Sequence, residues 1–195
     1  GLFGSSLCET YELERLLTFL LEAMADKGMN TVELPVEQHT LLQKVSCALE
    51  TWLESDDTDR DFQYWDTVSA AREIYRERVR LGFDGEAAEL PFDEIMPTLA
   101  AFRAKVQTGI QRAVEMNAGL WPGVPPTYFT YTVTDYEVLG SGAEQGRPHV
   151  RAKRFEPAVL PLFLEGPVLA LKVQPNAASA RSLHAWIREC DLYDR

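Results

Sequence analysis

Cysteine is scarce in this chain, and Cys8, Cys47 and Cys190 stand far apart with no paired spacing. An odd, unspaced set argues against a disulfide framework and against a zinc site. Each reads instead as a small buried apolar residue in a reducing setting, so a cytoplasmic location is expected. Long apolar runs are missing too. Val159 to Leu164 is interrupted by Pro161, and nothing approaches the roughly 20 apolar residues that span a bilayer, so no membrane partner is expected. Positive charge is in deficit, with 19 Lys and Arg against 30 Asp and Glu for a net charge of -11. Acids crowd the first part of the chain, from Glu9 to Asp59, and such a surface repels phosphate backbones; no nucleic-acid partner is expected. A basic, apolar leader is absent as well, and the chain runs from Gly1 to a helical pattern ending DLYDR, which reads as a piece of something longer.

What is present is a 46% apolar chain of 195 residues, enough for one large domain or two small ones with a real core. Leu13, Leu16, Leu17, Leu20, Leu21 and Met24 recur at helical spacing. They predict a helix over 9–27, with Ser5 or Ser6 as its cap and Gly28 as its end. Thr31 to Leu34 is too short to assign. A second helix starts near Pro35 and carries Leu41, Leu42, Val45, Leu49, Trp52 and Leu53 up to the acidic break at 55–61. A third covers 61–81, with Phe62, Trp65, Val68, Ala71, Ile74, Tyr75 and Val79 on one side, and ends at Gly82. A fourth, over 92–117, sets Ile95, Leu99, Phe102, Val106, Ile110 and Ala113 at alternating steps of three and four, the seam spacing of packed helices. Pro97 predicts either a kink or a start at that residue. That stripe alone does not offset the entropy of ordering its helix, so neighbours must close its core.

Gly119, Pro122, Gly123, Pro125 and Pro126 then forbid helix and set an extended segment. From Thr127 a long strand follows, with Phe129, Tyr131 and Val133 facing opposite to Tyr128, Thr130 and Thr132. Segments 151–155 and 168–173 are its expected partners and 160–164 a third, while Glu165-Gly166-Pro167 reads as a tight turn between strands. Asn176 or Ser179 caps a final helix carrying Leu183, Trp186, Ile187 and Cys190. No internal repeat is read. The expected fold is α+β, mostly α: antiparallel helix pairs over 1–120, a small antiparallel β ribbon over 121–175, and the start of a further helix over 176–195.

Candidate chemistry is thin. Asp56 to Asp61 alternates carboxylates like a calcium loop, but Phe62 and Val68 stand where that loop needs Gly and Glu, so it reads as an acidic helix start. The glycine-rich 140–146 loop lacks a following Lys and helix, and is no phosphate cradle. Arg147, His149, Arg151, Lys153 and Arg154 form a basic patch, read as a solvated loop and strand edge with an anion site such as phosphate as the alternative. Asp135 and Glu137 share a strand face, as paired catalytic carboxylates would, or as an exposed ribbon beside Arg or Lys. His39, His149 and His184 are isolated and read as surface or packing residues. Trp121, Tyr128, Phe129 and Tyr131 cluster beside the proline turn, where flat rings can fill a core or meet a sugar or a protein partner. No metal ligand set and no catalytic residue is assigned.

The stretches FGSSLCETYELERLLTFLLE, RVRLGFDGEAAEL, PPTYFTYTVTDYEVL, LPLFLEGPVLALKV and DLYDR resemble an internal portion of large cellobiose-phosphorylase-like proteins. The resemblance covers most of the chain. It implies part of an α/α toroid of six helical hairpins that cleaves or phosphorolyses glycosidic bonds, with an oligosaccharide substrate in the full-length parent. It implies no cofactor, with inorganic phosphate as a candidate co-substrate. The family's general acid is an Asp in a Trp-Asn-Asp setting; this sequence has no such tripeptide, so the acid is expected outside these residues. No sugar or phosphate ligand of that family is matched residue by residue; Trp121, Tyr128 and Asp135 are the candidates for contact with a carbohydrate cleft. The alternative function is a non-catalytic, acidic helical protein-interaction module.

Overall fold

Glu-Leu-Pro closes a strand twice in this chain, at 33–35 and at 89–91, and each time a helix begins on the next residue. Proline suits both jobs, because it lacks the N–H that an internal strand position would use and its fixed φ is already helical. In the computed structural model, which describes residues 6–27, 30–119, 121–141, 148–160 and 163–190, the order is α1 (Leu7–Lys27), β1 (Thr31–Pro35), α2 (Val36–Glu54), α3 (Arg60–Arg78), β2 (Ala87–Pro91), α4 (Phe92–Asn117), β3 (Tyr128–Ser141), β4 (Pro148–Leu160), α5 (Glu165–Val173) and α6 (Ala177–Glu189). The fold is α+β and mostly α, as expected. The chain divides into two compact units, Gly1–Leu16 with Val106–Arg195, and Leu17–Lys105, so the division falls inside α1 and α4.

In the unit Leu17–Lys105, β1 and β2 pair antiparallel with Glu33 opposite Glu89 at the centre. The ladder continues past the prolines, where Val36 N–H donates to Glu86 O at 3.1 Å and Phe92 N–H to Asn30 O at 2.9 Å. The two Glu-Leu-Pro segments thus form a local repeat that hydropathy alone had not disclosed. Between them α2 and α3 pack as a hairpin through the short 55–59 connection. Glu37, in the first turn of α2, is buried, and its Oε1 accepts from Asp84 N–H at 2.9 Å, tying the loop after α3 to the start of α2. α4 starts at Phe92 rather than at Pro97, and holds that proline inside it.

In the other unit, β3 and β4 form a two-stranded ribbon with register shifts around Asp135 and beyond Val138. One core gathers Leu7, Tyr11, Ala113 and Phe129; a second gathers Val124, Leu183, Trp186 and Cys190. The partner segment 151–155 is indeed in β4, but 168–173 is not a strand: it lies in α5. A short apolar run has no period that separates buried strand from buried helix, and the deciding signal was Pro167, which sits in the first helical turn where a missing N–H costs nothing. Glu165-Gly166-Pro167 is therefore a helix start, not a turn between strands. Among the described residues of 160–164, only Leu160 is in a strand. α6 begins as expected: Asn176 Oδ1 accepts from Ala178 N–H at 2.8 Å and Ser179 N–H at 3.1 Å. Ser5, Gly28, most of the glycine-rich loop, Arg147, Pro161 and the DLYDR segment lie outside the described residues.

Candidate functional site

The join between the proline segment and α5 is held by one side chain. Thr127 is almost fully buried; its hydroxyl donates to Phe163 O at 3.0 Å and accepts from Gly166 N–H at 3.0 Å. Leu7 N–H donates to Thr127 O at 2.8 Å, which brings the start of α1 to the same place. A Cβ on Gly166 would collide with the Pro126 carbonyl, so only glycine lets the helix start approach that backbone. This junction carries Tyr128, whose hydroxyl donates to Glu165 Oε2 at 2.7 Å and whose ring meets Phe163 edge-on at 4.9 Å. The hydrogen bond to Glu165, then burial, pushes the Tyr128 hydroxyl up to about 12.

The three candidate contact residues do different things. Trp121 packs edge-on against Trp186 at 5.5 Å, beside the second core. Tyr128 is engaged with Glu165. Asp135 is exposed on the ribbon opposite Arg154. None of the three lines the α2–α3 groove, the hollow between α2 and α4 or the cavity beside Tyr11. Glu137 pairs with Lys153 at 2.9 Å, and the hydrogen bond and charge of that lysine hold its carboxyl below the ordinary range. Asp135 and Glu137 are thus an exposed ribbon pair beside basic residues. His149, Arg151, Lys153 and Arg154 are exposed on β4. The acidic stretch before α3 serves local structure: Asp57 Oδ1 accepts from Asp59 N–H at 2.9 Å, and Asp61 Oδ1 from Trp52 Nε1 at 2.8 Å. No group of His, Cys, Asp or Glu able to hold a metal occurs among the described residues. Cys190 is buried as expected, but Cys47 is exposed, because it sits on the open face of α2.

Concave surfaces lie elsewhere, in both units. Between α2 and α3 runs an open groove of about 600 Å³ with a floor of Ala48, Ala71 and neighbouring small residues. One end is built by a cation sandwich: Lys105 Nζ lies 3.2 Å from the centre of the Trp52 ring and 3.8 Å from Asp61 Oδ1, and the Arg60 guanidinium lies 4.8 Å from the same ring. In the unit with the N-terminus, a smaller cavity of about 240 Å³ is enclosed by α1, α4, α5, α6 and the 123–125 segment. Its floor is buried Tyr11, Val124, Pro167 and Leu183; its rim is exposed Gln107, Gln111, Gln174 and Ser179. Burial, then the nearby Cys8, pushes the Tyr11 hydroxyl up to about 12. None of its lining residues is charged. Sequence reasoning missed this cavity because its members come from five separate segments with no common motif.

Compared with known proteins, the chain matches no family model and no curated protein. No helix among the described residues is long and apolar enough to cross a membrane.

Proposed function

We propose that the chain forms part of the helical wall of a carbohydrate-active enzyme, cellobiose-phosphorylase-like, that cleaves or phosphorolyses glycosidic bonds with an acid supplied from outside residues 1–195. The observation that carries this reading is the open α2–α3 groove, with Ile74, Trp65 and Leu53 exposed on the same hairpin. A helix pair with an uncovered apolar groove is what a toroid of hairpins covers with its next hairpin, and water is a poor substitute. The substrate is an oligosaccharide, inorganic phosphate is the candidate co-substrate, and the setting is cytoplasmic. The test is an assay of the full-length protein that carries these residues, following release of sugar 1-phosphate from oligosaccharides with and without phosphate. Release that depends on phosphate, or hydrolysis of a glycosidic bond, supports the reading; neither activity over a broad panel of oligosaccharides rules it out.

A second reading, a non-catalytic acidic interaction module, is favoured by the ribbon. Tyr131, Val133, Tyr136, Val138, Leu139 and Val150 are all exposed there, and a lone two-stranded ribbon is marginal in water without a covering partner. Residues 1–195 expressed alone distinguish the two. A sharp melting transition in a monomer favours the module, and aggregation or molten behaviour favours a wall that needs its neighbours.

A further inference from the structure

We propose that the 240 Å³ cavity bounded by α1, α4, α5 and α6 binds one uncharged, ring-sized polyol: a neutral monosaccharide or the terminal ring of a longer glycan. The choice of a sugar among neutral polyols rests on the carbohydrate reading above; the cavity's chemistry does not.

Charge selects first. A quarter of this chain is Asp, Glu, Lys or Arg, yet none lines the cavity. An ionic ligand would lose part of its hydration there and find no charged side chain in direct contact, which is an unfavourable exchange. Hydrogen bonding selects next. Gln107 Nε2 is already committed to buried Glu14 Oε1 at 3.1 Å, and Gln111 Nε2 to Glu115 Oε1 at 2.9 Å. Each of those amides keeps both lone pairs of its carbonyl oxygen as acceptors and one N–H as a donor. Gln174 and the Ser179 hydroxyl both donate and accept, and the Tyr11 hydroxyl, protonated throughout the neutral range, does the same. A set of groups that both donate and accept matches vicinal hydroxyls, each of which does the same. Shape selects last. The buried floor of Tyr11, Val124, Pro167 and Leu183 gives an apolar bed for the C–H face of a ring, beneath a polar rim. At about 240 Å³ the space falls below the roughly 300–1,000 Å³ of drug-sized sites, so it accepts one ring and not a chain.

Saturation-transfer NMR with D-glucose as probe, and with glucosamine, glucuronate and glucose 1-phosphate as charged counterparts, tests this on the chain. Glucose is expected to bind saturably, and the three charged sugars at least about tenfold more weakly. Gln174→Ala, at an exposed position, is expected to weaken glucose by about tenfold, the scale of a lost hydrogen bond, without moving the melting temperature. Ala170→Leu is expected to abolish binding by filling the space; should it fail to fold, Gln174→Ala alone decides. Absence of saturable glucose binding, equal binding of the charged sugars, or indifference to Gln174→Ala overturns the proposal. The two readings fail separately: a parent that cleaves glycosides over an empty, unresponsive cavity sinks only this inference, and a cavity that binds glucose in a parent without glycosidic activity sinks only the enzyme.

Discussion

Glu33 and Glu89 stand directly opposite one another at the middle of the β1–β2 ladder, both exposed. Like charges facing across a strand pair are unfavourable, and here they sit at the centre of a ladder only five residues long. Glu89→Lys turns repulsion into attraction and is expected to stabilise the chain by about 0.2–1 kcal/mol. Urea unfolding at low salt checks it, and the gain should shrink as salt screens the pair. A loss of stability, or a gain indifferent to salt, would refute the account of that ladder.

At the Trp52 sandwich, Lys105 from α4 sits over a ring belonging to α2 and reaches a carboxylate of α3, so one ammonium connects three helices. Lys105→Met keeps the aliphatic length and removes the charge. It is expected to cost about 1–2 kcal/mol, the scale of a partly desolvated cation–π contact. Lys105→Arg should retain most of it. Chemical denaturation of the three proteins compares them, and equal midpoints for wild type and Lys105→Met would show the contact to be idle.

These two sites also show what was legible in the sequence and what was not. Helix α4 was readable residue by residue, because its stripe from Ile95 to Ala113 repeats at a period that no strand shares. The α6 cap was legible as one of two residues, Asn176 or Ser179, since either side chain before a helical pattern has a local capping mechanism, and the structure selects Asn176. Segment 168–173 was not: six mostly apolar residues carry no period, and the helix there depends on Thr127 receiving Gly166 from far away in sequence. β1 and β2 were too short to see singly, and only their mutual pairing makes them strands. The 240 Å³ cavity was invisible for the same reason, its rim and floor meeting only through tertiary packing.

Gly166 is a sharp test of that packing. Gly166→Ala places a methyl group against the Pro126 carbonyl and 2.9 Å from Thr127 Cα, both backbone, so neither neighbour can rotate aside. The expected cost is at least about 1–3 kcal/mol, the range of overpacking. By contrast Gly109→Ala, with nothing within 4 Å and a helical setting, is expected to stabilise by about 1 kcal/mol or slightly less. Thermal melting of the pair decides: similar shifts in both would mean that the α5 start does not press on the proline segment.

Asn117 tests the second core. Its Nδ2 donates to Val124 O at 2.6 Å, while its own Oδ1 and Trp186 Nε1 are buried without a hydrogen-bond partner among the described residues. Asn117→Ala strips the partner from a buried carbonyl, at an expected cost of about 1–3 kcal/mol. Asn117→Asp should be at least as harmful, because it puts a charge in a buried site beside that carbonyl. Urea midpoints within error of wild type for both variants would show that the Val124 carbonyl is satisfied in another way.

Two tyrosines predict how the chain fails in alkali. Tyr11 is raised to about 12 by burial and then by Cys8, and Tyr128 to about 12 by its hydrogen bond to Glu165 and then by burial. Both stand above the ordinary value near 10. A folded-state pKa raised above the unfolded one gives stability that is complete below the unfolded value and is lost as pH climbs through the folded one. Stability should therefore hold up to about pH 10 and decline between about 10 and 12. Phenolate absorbance should show a late-titrating fraction that coincides with the loss of helical circular dichroism. Glu165→Gln removes the charged acceptor and should bring one phenol back toward the ordinary value, leaving the Tyr11 titration in place. If all tyrosines of wild type ionise together near 10 while the helices stay intact, neither hydroxyl is held as the geometry requires.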